Sequence, residues 1–252
     1  MEDCKPILTL VSTSKSGSPS EPDPLPDLIS FRKLSGALKY LTITRPDLSY
    51  AVNMLCQSMH ASTTTHWTDL KRVLRFVKGT LQFGLHISKS DSLVVHAFLD
   101  SDWGGCLVDR KSTSGFAVYL GNNMISWVCR KQKTLARLST EAEYKGLVDA
   151  SADATWLVSL LAEMGVWLPS PPRLWCDNLG ATYLCVNLVF HARTKHVEID
   201  YHFVRNKVAS RDLAVQFIST KDQLADIFTT KALGSSRFYF LHDKLNVVSL
   251  PP

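Results

Sequence analysis

The feature that most constrains the fold is a near-continuous apolar run that ends in an acid. Residues 93–99 read LVVHAFL and are followed by Asp100. Such a run is typical of a central strand that delivers a polar residue at its tip. Two further apolar segments, Thr113–Leu120 and Met124–Cys129, flank a Gly-Asn-Asn sequence at 121–123, which supplies the positive φ of a tight hairpin. The sequence therefore predicts three antiparallel strands.

The region after this meander alternates between helical and strand patterns. A long apolar stripe predicts a helix over Thr140–Met164, with Gly165 as its C-terminal cap. The later elements are predicted as a strand at Arg173–Cys176, helices at Asn178–Leu188 and Val197–Val208, a strand at Leu213–Ile218 and a helix at Asp222–Lys231. This order describes a mixed five-stranded sheet covered by helices, in one α/β domain.

The region before about Gly84 has a different spacing of apolar residues. Apolar residues recur there at helical spacing in three stretches, which predicts three amphipathic helices between residues 28 and 79. The preceding stretch, Ser12–Asp27, is dense in Ser, Pro and Gly, so we predict a linker within a disordered segment 1–27.

Charge and composition narrow the class of protein. Residues 28–90 contain nine Lys or Arg against two acids, within a chain of 252 residues and net charge +5. This excess indicates either contact with a polyanion or solvated helix faces. The six cysteines are scattered, which favours reduced thiols over disulfides or a zinc knuckle. We find neither a signal peptide nor a membrane-spanning run, and therefore expect an intracellular protein, cytoplasmic or nuclear, without a membrane partner.

Four acids occupy positions from which they can meet. Asp100 and Asp177 each end a predicted strand, while Glu143 and Asp226 lie in the first turns of predicted helices. Ligands of open α/β sheets bind at the carboxyl ends of the strands. Converging carboxylates stay ionised only with positive charge between them, and two Mg²⁺ ions about 4 Å apart would supply it for phosphodiester hydrolysis.

Each acid also has a structural interpretation. Glu143 fits a capping box with Thr140, and Asp177 can cap the helix that follows it. Asp102 competes with Asp100 for the same role. Spacing alone leaves the catalytic and the structural interpretations open.

Two groups of basic residues are candidate nucleic-acid contacts. The third helix presents Lys71, Arg72, Arg75 and Lys78 opposite its apolar stripe, and this face is alternatively only solvated. Arg193, Lys195 and Arg205 alternate with His191, His196 and His202. No cysteine or acid completes a tetrahedral zinc spacing there, so a surface that contacts a phosphate backbone explains the mixture better.

A series of short sequence motifs supports a resemblance to a known protein family. These motifs are DCKPI at 3–7, FRKLSGALKYLTITRPDLSYAVN at 31–53, HWTDLKRVLRFVKGT at 66–80, LDSDWGG at 99–105, DRKSTSGF at 109–116, ISWVCRKQKTLARLSTEAEY at 125–144, LWCDN at 174–178, HARTKHVEIDYHF at 191–203 and QLADIFT at 223–229. They cover nearly the whole chain. In this order they resemble the end of the reverse transcriptase and the RNase H domain of Ty1/copia-type retrotransposon Pol polyproteins.

The resemblance implies a fold and a set of domains. Residues 90–232 are expected to form an RNase H-like domain, preceded at 28–86 by a helical thumb or connection segment and followed at 233–252 by a tail. No YxDD-type word of a polymerase palm is present, so we expect DNA synthesis, if any, to require a palm-bearing reverse transcriptase as partner.

The resemblance also implies a site and a substrate. It selects Asp100 over Asp102 and Glu143 over Glu141, and adds Asp177 and Asp226, as ligands of Mg²⁺ or Mn²⁺. The substrate it implies is the RNA strand of an RNA–DNA hybrid. The sequence has Gly104 and Thr230-Lys231 where the family usually has an alanine and a Lys-Pro pair, and neither change removes an acid. The alternatives are a catalytically idle nucleic-acid-binding remnant and a purely structural polymerase module.

Overall fold

The structure is a computed structural model that describes residues 4–11, 23–186, 195–230 and 233–249, with only the backbone for 195–200. The chain divides into two units. One comprises residues 1–86 together with 230–252, and the other comprises residues 87–229. In the described ranges, no helix combines the length and the apolar character needed to cross a membrane.

The first unit begins with the three predicted helices. Its elements up to residue 86 are α1 (Leu28–Leu41), a 3₁₀ turn (Pro46–Leu48), α2 (Ser49–Gln57), α3 (Thr64–Gly79) and β1 (Phe83–Leu85). The Asp27 carboxylate caps α1 by accepting from the Ser30 amide at 3.0 Å. Thr63 and His66 form a capping box that begins α3. The three helices predicted between residues 28 and 79 are therefore confirmed.

A buried ion pair joins two parts of this unit. Nε and Nη2 of Arg45 donate to the two carboxylate oxygens of Asp47 at 2.9 and 2.8 Å. Nη1 of the same guanidinium donates to the carbonyl of Thr80, just after α3, at 2.8 Å. Nε2 of His242 lies 3.6 Å from Oδ2 of Asp47. The Arg45-Pro46-Asp47 sequence thus ties the turn before α2 to the end of α3.

The second unit is built on one sheet. Its elements are β2 (Val95–Asp102), β3 (Thr113–Leu120), β4 (Asn123–Lys131), α4 (Ser139–Glu163), β5 (Arg173–Cys176), α5 (Leu179–Val186), α6 (Lys195–Ala209), β6 (Ala214–Phe217), a 3₁₀ turn (Thr220–Asp222) and α7 (Asp226–Thr229). The strand order is β4-β3-β2-β5-β6. The first three strands pair antiparallel, whereas β2, β5 and β6 run parallel. The predicted α/β fold with a mixed five-stranded sheet is confirmed.

The core of this unit lies between α4 and the sheet. Burial alternates along β2, so that every second residue from Val95 to Leu99 faces inward. Leu147, Ala150 and Ala154 form the buried stripe of α4 in the same hydrophobic cluster. The small alanines allow the helix to approach the strands closely, and this fixes where the first turns of α4 lie relative to the end of β2.

The end of the chain differs from the expected tail. Residues after 233 form α8 (Ser235–Lys244) and β7 (Val247–Ser249), and β7 pairs antiparallel with β1. Phe238 and Leu241 of α8 are buried, so the apolar face of this helix packs against other residues. This segment belongs to the first unit rather than following the second as an appendage.

The segment 1–27, which is expected to be disordered, makes contacts with the first unit in its described parts. The amide of Leu25 donates to the carbonyl of Ser62 at 3.0 Å, and the amide of Thr64 donates to the carbonyl of Asp23 at 3.0 Å. Leu10 is buried in the described stretch 4–11. The remainder of the predicted linker, residues 12–22, lies outside the described residues.

Candidate metal centre

Strand register brings the first two acids together. Leu99 of β2 pairs with Cys176 of the parallel strand β5. Asp100 and Asp177 are the next residues along, so their carboxylates leave the same edge of the sheet from neighbouring strands. The predicted convergence of these two acids is therefore a consequence of a parallel pairing in the centre of the sheet.

The third acid comes from α4. Glu143 is 6% exposed, and Oε1 of its carboxylate accepts from the amide of Ser101 at 3.0 Å. This bond fixes the side chain against β2. In the described part of the chain, the acids whose ligand atoms all lie within 4.8 Å of one another are Asp100, Glu143 and Asp177. Carboxylate oxygens at this separation can hold a divalent metal ion.

The carboxylates of this cluster perturb one another. Burial, followed by the charges of Asp177 and Asp226, raises the pKa of Asp100 to about 6. Burial, followed by the charges of Asp100 and Asp177, raises the pKa of Glu143 to about 10. Asp100 and Glu143 thus resist ionisation in this space, and a bound cation would relieve the repulsion.

Asp226 occupies the first position of α7 and is half-buried. It lies outside the three-acid group defined by the 4.8 Å separation, although its charge raises the pKa of Asp100. The charge of the predicted fourth acid therefore acts on Asp100 from a different element. Its role as a ligand remains a prediction.

Glu143 and Asp177 do not form the helix-capping hydrogen bonds that were their alternative roles. The capping box predicted for Glu143 is absent, because its carboxylate bonds to Ser101 of β2 instead. Asn178, rather than Asp177, accepts from an amide at the start of α5, that of Ala181 at 3.0 Å. Asp177 accepts from the Thr220 hydroxyl at 2.8 Å. Both acids are therefore available to the cluster.

The two competing acids point elsewhere. The Glu141 carboxylate binds the Lys145 ammonium and the amide of Arg137, at 2.8 and 2.9 Å. The Asp102 carboxylate lies against Gly105, where a Cβ would collide with it. The geometry thus agrees with the choice of Asp100 and Glu143.

Helix α7 is shorter than the predicted helix Asp222–Lys231, and two unpredicted residues hold it at the site. The fully buried Gln223 donates from Nε2 to the carbonyl of Leu99 at 2.8 Å, which keeps residue 223 out of a helix. The Thr229 hydroxyl donates to Oδ2 of Asp100. The sequence offered no separate signal for either residue beyond the QLADIFT word that contains both.

Most of the basic side chains of α3 that are predicted to contact nucleic acid already bond to other residues of this chain. Three of the α3 cations bind the N-terminal segment: Arg72 bonds to the Thr9 hydroxyl at 2.7 Å, Arg75 to the carbonyl of Lys5 at 2.8 Å, and Lys78 to the carbonyl of Cys4 at 3.2 Å. The Lys71 ammonium lies over the Trp67 ring, 5.6 Å from its centroid.

The second group of predicted contacts is mostly undescribed. Arg193 and His191 lie outside the described residues, as do the side chains of Lys195 and His196. Arg205 and His202 are described on α6. No zinc-like grouping of side chains is found among the described residues of this helix.

Comparison with known proteins gives relatives along the whole chain. The chain is 48% identical over 252 residues to a retrovirus-related Pol polyprotein from transposon RE2 of Arabidopsis thaliana, covering 100% of this chain and 17% of that protein. It is 30% identical over 245 residues to the corresponding polyprotein from transposon TNT 1-94 of Nicotiana tabacum, covering 94% and 18%. The chain thus spans less than a fifth of these relatives. No family model matches the chain.

One solved structure that aligns with part of this chain is LC11-RNase H1 in complex with an RNA/DNA hybrid. It is 11% identical, with a TM-score of 0.41, and the match covers 55% of this chain and 95% of that one.

Proposed function

Because this chain belongs to the retrovirus-related Pol polyproteins of copia-type transposons, we propose that its second unit is a metal-dependent endonuclease that hydrolyses the RNA strand of RNA–DNA hybrids. One observation carries the proposal. Asp100, Glu143 and Asp177 place ligand atoms within 4.8 Å of one another at the carboxyl edge of the sheet. Hard carboxylate oxygens in such a group are the ligands that Mg²⁺ and Mn²⁺ take.

The mechanism assigns a role to each acid. Asp100, Glu143 and Asp177 would hold the first metal ion, and Asp226 would help to hold a second one beside Asp100. Two bound Mg²⁺ or Mn²⁺ ions would activate a water molecule and stabilise the leaving oxygen of an in-line displacement. The Ser101 amide orients Glu143, and the Thr220 hydroxyl orients Asp177, so both carboxylates are fixed before substrate arrives.

The substrate in this proposal is a polyanion. Arg193, Lys195 and Arg205 are proposed to contact its phosphates, and a palm-bearing reverse transcriptase is proposed as the partner that produces the hybrid. In this proposal the α3 cations, Lys71 among them, attract the polyanion through their long-range positive field and do not contact it. Three of the four bond to residues 4–9 instead.

Cleavage of a hybrid tests the proposal. The full chain is incubated with an end-labelled RNA–DNA hybrid and Mg²⁺, beside Asp100→Asn purified in the same way. We expect cleavage of the RNA strand that requires Mg²⁺ and that falls at least ~100-fold in the variant, because a metal ligand contributes several kcal/mol to the transition state. Single-stranded RNA and duplex DNA serve as control substrates.

Two outcomes contradict the proposal. One is the absence of metal-dependent cleavage by the wild-type chain, and the other is cleavage that survives Asp100→Asn, which would identify a contaminating nuclease. Hybrid binding without cleavage would instead support the idle nucleic-acid-binding remnant.

A further inference from the structure

The hydroxyl of Thr229 contacts an acid that lies 129 residues away in the chain. Thr229 ends α7 and is fully buried, and Oγ1 donates to Oδ2 of Asp100. The helix offers the same hydroxyl two weaker acceptors, the carbonyls of Ala225 at 3.4 Å and Asp226 at 3.5 Å. A hydroxyl has one proton, and a carboxylate accepts it more strongly than a carbonyl does. The side chain is therefore committed to Asp100.

The backbone that carries this hydroxyl is fixed on the sheet from both sides. Before α7, the fully buried Gln223 donates to the Leu99 carbonyl at 2.8 Å and accepts from the Ala225 amide at 3.2 Å. Within α7, Phe228 packs against Gly115 of β3, where no room remains for a Cβ. The position of Thr229 relative to β2 is thus set by contacts that do not involve Asp100.

We propose that Thr229 is a positioning residue for the metal centre, whose hydroxyl fixes the orientation of the Asp100 carboxylate toward Glu143 and Asp177. The inference rests on the proposed function only in taking these acids as metal ligands. A carboxylate on a strand end rotates about its side-chain bonds, and each orientation presents its oxygens differently. A donor on Oδ2 selects one orientation, and outer hydrogen bonds of this kind typically contribute ~10- to 100-fold in metal affinity.

A purely structural role makes a different prediction. Loss of a buried hydrogen bond lowers stability whether or not the carboxylate binds metal. The affinity of the folded protein for a metal ion would then be unchanged. Metal affinity, measured without nucleic acid, therefore separates the two roles.

Titration with Mn²⁺ alone tests the inference on the full chain. Free Mn²⁺ is followed by electron paramagnetic resonance for wild type, Thr229→Val, Thr229→Ser and Thr155→Val. Thr155 is the matched control, since its hydroxyl donates at 2.8 Å to the carbonyl of Ser151 within α4 and is not part of the site. We expect ~10-fold or greater loss of affinity for Thr229→Val. Thr229→Ser and Thr155→Val should bind as the wild type does.

Circular dichroism at the titration temperature establishes that each variant is folded, and Thr229→Ala replaces Thr229→Val if the latter is not. Unchanged Mn²⁺ affinity in a folded variant without the hydroxyl overturns the inference, and so does a Thr229→Ser variant as weak as Thr229→Val. A wild-type chain that binds no Mn²⁺ overturns it too. Weaker Mn²⁺ binding by Thr229→Val in a chain that cleaves no hybrid would uphold the inference while rejecting the proposed nuclease.

Discussion

Gly115 of β3 lies against Phe228 of α7 so closely that a Cβ at residue 115 would overlap the Cβ of Phe228. The next contact of that Cβ would be Cγ2 of Thr229, at 3.0 Å. A glycine at this position therefore sets the height of α7 above the sheet. Because α7 carries both Asp226 and Thr229, this packing contact also sets the geometry of the acidic cluster.

Gly115→Ala is expected to lower both stability and metal affinity. Overpacking of a buried contact costs about 1–3 kcal/mol. The displaced α7 would also withdraw Thr229 from Asp100. Thermal unfolding and Mn²⁺ titration measure the two effects. Gly36→Ala in α1 is the control, since a Cβ added there would meet no described atom within 4 Å beyond its chain neighbours and its own helix backbone, and alanine stabilises a helix interior by about 0.5–1 kcal/mol. A Gly115→Ala variant as stable as wild type would contradict the assigned packing.

The stability of the metal-free protein is expected to fall as pH rises. Folding raises the pKa of Glu143 from 4.5 to about 10. Since the folded pKa is the higher one, this group's contribution is fully present below about pH 4.5 and is lost progressively as pH rises toward 10. Asp100, with a pKa raised to about 6, acts in the same direction at lower pH.

Glu143→Gln isolates this effect. Melting temperatures in EDTA are compared at about pH 7 and about pH 8.5, which lie above the raised pKa of Asp100 and below that of Glu143. We expect the variant to gain stability relative to the wild type as pH rises. Glu163→Gln, at the exposed end of α4, serves as the control. A parallel decline in wild type and Glu143→Gln would show that Glu143 is ionised in the fold. Added Mg²⁺ should stabilise the wild type at pH 8.5, because it binds the folded state.

Local pattern predicted most of the second unit. The bounds of Thr113–Leu120 and Arg173–Cys176 were predicted as they are found, because turn residues and short apolar runs define strands locally. The terminal helix was not, since Gln223 bonds to Leu99, 124 residues away. Periodicity carries no information about such a contact. The same holds for the bond between Thr229 and Asp100.

The four acids show where the resemblance added information. Helix and strand ends put them at one edge of the sheet, but could not choose between Asp100 and Asp102. The parallel register of β2 and β5 now gives a physical reason for Asp100, which is level with Asp177.

In the first unit, the apolar spacing of Phe238, Leu241 and Leu245 was available in the sequence, whereas the pairing of β7 with β1 was not.

Removal of one partner from the buried Arg45–Asp47 pair is expected to destabilise the first unit. Arg45 is 3% exposed, and Asp47→Ala would leave its guanidinium buried without a counter-charge. Such a loss typically costs about 3–5 kcal/mol. Urea unfolding measures it. The control is Asp109→Ala, because Asp109 pairs with Lys131 at 2.9 Å near the surface, where solvent screens the charges and leaves the pair a much smaller contribution to stability. Equal losses in the two variants would mean that the Arg45 pair is effectively solvated.

Neighbouring acids give the sharpest test of the site. Asp100 and Asp102 are two residues apart on β2, and Glu141 and Glu143 are two residues apart on α4. Each substitution replaces one carboxyl group of a pair by an amide, so the two members of a pair differ only in position. We expect hybrid cleavage to fall at least ~100-fold in Asp100→Asn and in Glu143→Gln, because each removes a metal ligand.

The partner substitutions should leave most of the activity. Asp102 faces its own loop at Gly105, and Glu141 is bound by Lys145 and by the amide of Arg137. Initial rates of cleavage are measured for all four variants at saturating Mg²⁺, and Mn²⁺ affinities are measured in parallel. A loss in Asp102→Asn equal to that in Asp100→Asn would indicate that the second aspartate of the LDSDW sequence binds metal. Equal losses for all four would indicate that net negative charge at this edge, rather than particular ligands, supports the reaction.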